Sequence, residues 1–210
     1  TVLEINLDAI AHNLNVFRNH LHPGTRIMAM VKAFAYGAGP AEIASLLEYQ
    51  RVSYLAVAYA DEGVELRNAG VSLPIMVMNP DQAATDLMIR NLLEPEIYSF
   101  ESLESFIAAS LRHGLVGYPV HIKIDTGMHR LGFMAGECRE LSEKIKMTES
   151  LKIVSVFSHL AGSDDPALDD FTHKQADVFI KTSAQIQNIV GYPFLRHLLN
   201  SSGILRFPQY

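Results

Sequence analysis

Short apolar runs recur along this chain, each followed by a longer segment whose apolar residues return every three or four positions, and this alternation restricts the possible folds more than any other feature. The candidate strands are Ile27–Ala33, Tyr54–Ala58, Ile75–Met78, Glu96–Tyr98, Val120–Asp125, Ile153–His159 and His197–Ser201, most of them bounded by Gly, Pro, Asn or Asp. Between them lie the helical candidates Pro40–Tyr49, Asp61–Asn68, Asp81–Asn91, Glu101–His113, Gly136–Met147 and Ala167–Ile189. Such an order predicts a parallel sheet with helical crossovers. It fits either an open doubly wound sheet or a TIM-type (β/α)8 barrel. No Gly-x-Gly-x-x-Gly follows a candidate strand, so the dinucleotide-binding open sheet loses its main support and the barrel, truncated after its seventh strand, is the expected α/β fold. Ahead of the first barrel strand the chain predicts a short strand at Val2–Asn6 and a helix from about Asp8, with Asp8 as its N-cap.

At 210 residues one sizeable domain spanning 1–210 is the expectation. A net charge of −6, with no block of Lys or Arg, removes the electrostatic basis for nucleic-acid binding. No stretch approaches the roughly 18 apolar residues of a membrane span, and Thr1 to Asn6 has neither the basic nor the apolar region of a secretory signal, so a cytoplasmic protein is expected. The single cysteine, Cys138, has no thiol partner and is assigned no role. A start at Thr1 without Met and an end at Tyr210 without a polar tail predict a piece of something longer.

Four segments could carry chemistry. In Met28-Ala29-Met30-Val31-Lys32-Ala33-Phe34-Ala35-Tyr36-Gly37-Ala38-Gly39 a strand runs into a Gly-containing turn. The C-terminal strand ends of a barrel form its active face, so Lys32 stands where chemistry usually sits and Tyr36 can reach the same opening. A lone lysine is most often a solvated charge, but the apolar and small residues before Lys32 leave its amine partly desolvated, which suits Schiff-base formation. In Val120 to Asp125 strand alternation places His121, Lys123 and Asp125 on one face and Ile122 and Ile124 on the other. Three polar residues inside a barrel ask for a local polar network. Arg130 follows in a Gly-bracketed loop and could hold an anionic oxygen or simply stabilise the loop. His159 ends a strand, where a ring could stack on a planar cofactor, move a proton, bind metal or fill a rim. Leu199-Asn200-Ser201-Ser202-Gly203 is either a phosphate-binding turn or a capped one.

Together these segments resemble alanine racemase, in order and spacing, across essentially the whole chain. Glu4-Ile5-Asn6-Leu7-Asp8-Ala9-Ile10 with His12-Asn13 resembles the family's start, and Val31-Lys32-Ala33-x-Ala35-Tyr36-Gly37-x-Gly39 its cofactor-lysine motif. Asp125-Thr126-Gly127-Met128-His129-Arg130-Leu131-Gly132, Phe157-Ser158-His159 and Asn200-Ser201-Ser202-Gly203 follow in the family's order. The resemblance implies pyridoxal 5'-phosphate as cofactor and alanine as substrate, with Lys32, Arg130 and His159 as the catalytic set. Lys32 would hold the cofactor and serve as one of two bases at Cα. Tyr36 and Ser201, with Asn200 beside it, would bind the phosphate, Arg130 would contact the ring hydroxyl oxygen, and His159 would lie by the pyridine ring. Lys123, which carries a carbamate in some members, would position Arg130. No metal is implied.

Phe34, Ala38 and Ser202 depart from the residues common at those places, and the first two resemble the racemase domain fused behind a peptidoglycan-precursor ligase in some bacteria. The family continues with an eighth strand and a β-rich domain whose tyrosine is the second base across a homodimer interface; neither lies within Thr1–Tyr210, so the fragment alone is expected to be inactive. Other readings are a metal-dependent barrel hydrolase, for which the first strand offers no His-x-His, a non-catalytic pyridoxal-phosphate-binding barrel, and a purely structural domain.

Overall fold

A computed structural model describes residues 2–210. It contains seven strands, all parallel and hydrogen-bonded in chain order from β1 to β7, the order of a (β/α) barrel through its seventh strand. The chain divides into two compact units, residues 1–95 and 96–210.

In the first unit α1 (Leu7–His20) leads to β1 (Met28–Met30), the single turn α2 (Lys32–Tyr36), α3 (Pro40–Tyr49), β2 (Tyr54–Val57), α4 (Ala60–Asn68), β3 (Ile75–Val77), a 3-10 turn at Gln82–Ala84 and α5 (Thr85–Arg90). The strand β4 (Leu93–Ile97) begins there, with Leu93 opposite Ile75. Leu55, Ala56, Val57, Ile75, Met76 and Val77 have no exposed surface. A parallel strand covered on both faces reads as an unbroken apolar run, which explains why these segments showed no alternation. Gly63 lets α4 lie close against β4, since a Cβ there would stand 2.9 Å from the side chain of Leu93. The Arg67 guanidinium donates to the carbonyls of Val71, Leu73, Asn91 and Leu92, tying together the loops that enter β3 and β4.

The second unit takes the end of β4, where Glu96 pairs with His121, and continues through α6 (Phe100–Arg112), β5 (Tyr118–Lys123), α7 (Cys138–Met147), β6 (Leu151–Phe157), a 3-10 turn at Pro166–Leu168, α8 (Asp169–Val190), β7 (Leu195–His197) and α9 (Ser201–Arg206). The register of β5 on β6 shifts between Val120 and His121 and ends with Lys123 opposite Phe157, which in turn pairs with His197. Leu103, Phe106, Ile122, Leu141, Ile153, Val156 and Ile186 form the core of this unit.

Three expectations need correction. Residues 2–6 form no strand: Val2 and Leu3 are 83% and 73% exposed and nothing in the described residues pairs with them. The N-cap of α1 is Asn6, whose Oδ1 accepts from the Ala9 amide at 3.0 Å, and Asp8 sits inside the first turn instead. The seventh strand ends at His197, and Ser201 opens a helix.

Candidate active site

Each residue singled out from the sequence lies just beyond the C-terminal end of a strand or at its last position. Lys32 and Tyr36 belong to the first unit; Lys123, Arg130, His159, Asn200 and Ser201 belong to the second.

In the first unit the last ladder bond after β1 runs from the Val31 amide to the Ala56 carbonyl, 2.8 Å. Lys32 follows, half-buried, and the chain then enters a conformation that L-residues avoid. Ala33, Phe34, Ala35 and Tyr36 have φ of 52°, 58°, 49° and 55°, one turn of left-handed helix closed by Gly37 at φ 87°. Each of the four costs roughly 1–2 kcal/mol relative to the right-handed form. Such strain persists only where its surroundings impose it. Here the carboxylate of Glu62, in the first turn of α4, accepts from the Ala33 amide at 2.7 Å with Oε1 and from the Ala58 and Tyr59 amides at 2.6 and 3.2 Å with Oε2. One side chain thus joins the turn after β1 to the turn after β2 and fixes the backbone beside Lys32. The Tyr36 side chain stands 69% exposed.

In the second unit the inward polar face of β5 is a buried network, as alternation required. His121 Nδ1 meets Ser155 Oγ at 2.7 Å, and the same hydroxyl meets His197 Nε2 at 3.0 Å. His197 stacks on Phe157, with ring centroids 4.8 Å apart and planes 2° from parallel. Burial first, and the charge of His121 second, hold the His197 imidazole down at about 3. Lys123 Nζ lies 3.3 Å from Glu96 Oε1 and 5.3 Å from the centre of the Phe157 ring.

Asp125 does not join this network. It lies past the end of β5, where its Oδ1 accepts from the Gly127 and His129 amides; burial pushes its carboxyl up, but these donors leave it below the usual range. The loop folds back on the strand through Asp125 N–H to Phe133 O and Phe133 N–H to Lys123 O, both 2.9 Å. Gly132 makes that return possible, because a Cβ there would stand 2.7 Å from the Asp125 nitrogen. Arg130 is carried on this loop and is exposed.

His159, half-buried, has its carbonyl held by Gln175 Nε2 at 3.1 Å, while Gln175 also reaches Thr126 Oγ1 and the Ala161 amide and so braces the loops after β5 and β6 together. The Asn200 side chain is fully engaged: Oδ1 accepts from the Gly203 amide and the Ser163 hydroxyl, both at 2.8 Å, and Nδ2 donates to the Leu160 carbonyl. Asn200 therefore frames the start of α9, and Ser201 is the residue exposed there. Sequence reasoning missed Glu62, Glu96, Ser155, Gln175 and His197. Only Glu96 carried a usable signal, a carboxylate within an apolar strand. Among the described residues no group of three or more His, Cys, Asp or Glu is placed to hold a metal ion.

Seven parallel strands hydrogen-bonded in chain order, with helices between them, define a barrel-type α/β protein. The family model for the alanine racemase N-terminal domain matches residues 5–210, and the chain belongs to that family. It is 34% identical over 210 residues to alanine racemase 1 of Oceanobacillus iheyensis, covering 99% of this chain and 55% of that protein. It is 36% identical over 204 residues to the alanine racemase of Thermodesulfovibrio yellowstonii, covering 96% of this chain and 54% of that one. The solved alanine racemase of Clostridium difficile 630 superposes with a TM-score of 0.91 at 33% identity over 98% of this chain and 57% of its own. The chain spans about half the length of the curated relatives it matches.

Proposed function

We propose that this chain is the pyridoxal-phosphate-binding part of an alanine racemase, which interconverts L-alanine and D-alanine for peptidoglycan precursors. The observation that carries the reading is the placement of Lys32 at the end of β1, held by a strained left-handed turn and the Glu62 clamp, in a chain of this family. The residues fit the cofactor. Lys32 makes no ion pair among the described residues, so its amine is free to condense with an aldehyde. The hydroxyls of Tyr36 and Ser201 and the guanidinium of Arg130 are on exposed residues, suited to phosphate and an anionic ring oxygen.

When bound, pyridoxal phosphate supplies the electron sink that acidifies the Cα hydrogen. Lys32 holds it and moves a proton at Cα on one side. By the family resemblance Tyr36 and Ser201 would each bind the phosphate, with Asn200 setting where Ser201 stands. By the same resemblance Arg130 would contact the ring hydroxyl oxygen, Lys123 would position Arg130, and His159 would lie by the pyridine ring. On the family match we assign residues 1–210 as one N-terminal domain of a cytoplasmic homodimer.

Inversion needs a proton carrier on each side of Cα, and the family places the second on a further domain. The cofactor-loaded chain should therefore exchange the Cα hydrogen of D-alanine with solvent deuterium without forming L-alanine. Loss of one base is worth about 10²–10⁴-fold. NMR for deuterium and chiral chromatography on the same sample make the test. Rapid formation of L-alanine would assign the second base to residues 1–210, and no exchange in a loaded chain would remove Lys32 as a base.

A further inference from the structure

Glu62 has an ordinary local role. It is the third residue of α4, and its carboxylate accepts from the amide of Tyr59, the N-cap, as the acidic member of a capping box does. That role uses Oε2, which also takes the Ala58 amide. The other oxygen reaches out of the helix to the amide of Ala33, 29 residues earlier in the chain. We propose that through this second oxygen Glu62 is a positioning residue: it sets the spacing between the Lys32 amine and the Tyr36 hydroxyl, and so makes Lys32 selective for an aldehyde that carries a phosphate. The inference rests on the proposed attachment of the cofactor at Lys32 and of its phosphate at Tyr36.

Lys32 and Tyr36 are joined by Ala33, Phe34 and Ala35, all at positive φ. The bonds inside this turn run from the Ala35 amide to the Val31 carbonyl at 3.0 Å and from the Gly37 amide to the Ala33 and Phe34 carbonyls at 3.2 and 3.0 Å. Bonds of this local kind form in a helical turn of either hand, and L-residues favour the right-handed one. The hand is therefore selected from outside, where Glu62 Oε1 draws the Ala33 amide towards α4 and the Ala35 methyl is buried. A right-handed turn over the same residues would carry the chain away from β1 in another direction, so the hand of the turn and the spacing of Lys32 and Tyr36 are one property. Tyr36 is largely exposed, which leaves the turn rather than packing to set where its hydroxyl stands.

Both oxygens of Glu62 are needed. A glutamine offers one acceptor oxygen and one NH2 donor. Turning that oxygen to the two amides of Ala58 and Tyr59 keeps the helix cap and sets the NH2 group against the Ala33 N–H, donor facing donor. Glu62→Gln thus separates the local role from the proposed one.

The test compares pyridoxal 5'-phosphate with pyridoxal, which lacks the phosphate. For each, the concentration that half-saturates Lys32 of the full chain is read by borohydride trapping and peptide mapping. The wild-type chain should favour the phosphate form. Tyr36→Phe, which removes one hydrogen bond to a charged group, should reduce that preference by about ten- to a hundredfold. Glu62→Gln should reduce it to a similar extent while keeping wild-type circular dichroism. The double variant should lose no more than Tyr36→Phe alone, since Glu62 acts through Tyr36. A Glu62 that merely caps α4 would leave the ratio of the two aldehydes where it was. An unchanged ratio in Glu62→Gln, or losses that multiply in the double variant, would overturn the inference while the reading of Lys32 stands. A wild-type chain with no label on Lys32, or with no preference for the phosphate form, would overturn that reading and the inference with it. Should Glu62→Gln fail to fold, Glu62→Asp keeps two oxygens on a stem one methylene too short to span both turns. It should show the same fall, and a wild-type ratio in it would equally overturn the inference.

Discussion

Replacing Ala33 by glycine isolates the strain stored behind Lys32. Ala33 is exposed, has φ 52°, and offers Glu62 only its amide, which glycine retains. Relief of the left-handed conformation is worth roughly 1–2 kcal/mol. The greater freedom of glycine in the unfolded chain opposes this by about 0.5–1 kcal/mol. The net expectation is a gain of about 0.5–1 kcal/mol, a rise in Tm of about 1–4 °C for a chain of this size. Ala108→Gly is the control of opposite sign. Ala108 is exposed in the right-handed helix α6, where glycine costs about 1 kcal/mol and lowers Tm by about 2–4 °C. Thermal and urea unfolding of both variants, followed by circular dichroism, make the comparison. A fall in stability for Ala33→Gly similar to that of Ala108→Gly would falsify the claim that the turn is strained.

Two further changes test the second unit. Asn200→Ala removes the cap of α9 and the acceptor for Ser163, and should cost about 1–2 kcal/mol, whereas Asn200→Asp keeps both and should recover most of it in urea unfolding; equal losses would deny the capping role. Acid stability should report His197. Its folded value of about 3 lies below its ordinary 6.5, so it contributes stability that is complete above pH 6.5 and lost as pH falls towards 3. Glu96, raised from 4.5 to about 7, acts oppositely, withdrawing stability as pH rises through that range. The two oppose each other between 4.5 and 6.5, and below 4.5 His197 acts alone of the pair, with a slope of up to about 1.4 kcal/mol per pH unit. His197→Gln should flatten the urea midpoint between about pH 4.5 and 3, and an unchanged slope would place the acid sensitivity elsewhere.

The alternation of strands and helices was legible because each parallel strand buries both faces and each helix only one. Strand ends were less so. The apolar run of the first strand continues through Val31, but pairing stops there and the chain turns left-handed at Ala33. No local propensity announces that turn, since alanine and phenylalanine do not favour positive φ. It is imposed by Glu62, 29 residues beyond Ala33. The Val2–Asn6 run shows the converse, a strand-like pattern that forms no strand because the described residues offer it no partner. Lys32, Arg130, His159 and Ser201 were singled out because strand ends in this architecture usually carry function. Glu96, Ser155 and His197 were not, because each acquires its meaning from a neighbour on the adjacent strand, and that pairing depends on register.

The central claim is that Lys32 is the residue that attaches the cofactor. Incubation with pyridoxal phosphate, reduction with borohydride and peptide mapping read this directly. The account predicts one stable label per chain, on Lys32, and none after Lys32→Ala. A label on Lys123 or a surface lysine, or no label on a folded chain, would contradict it.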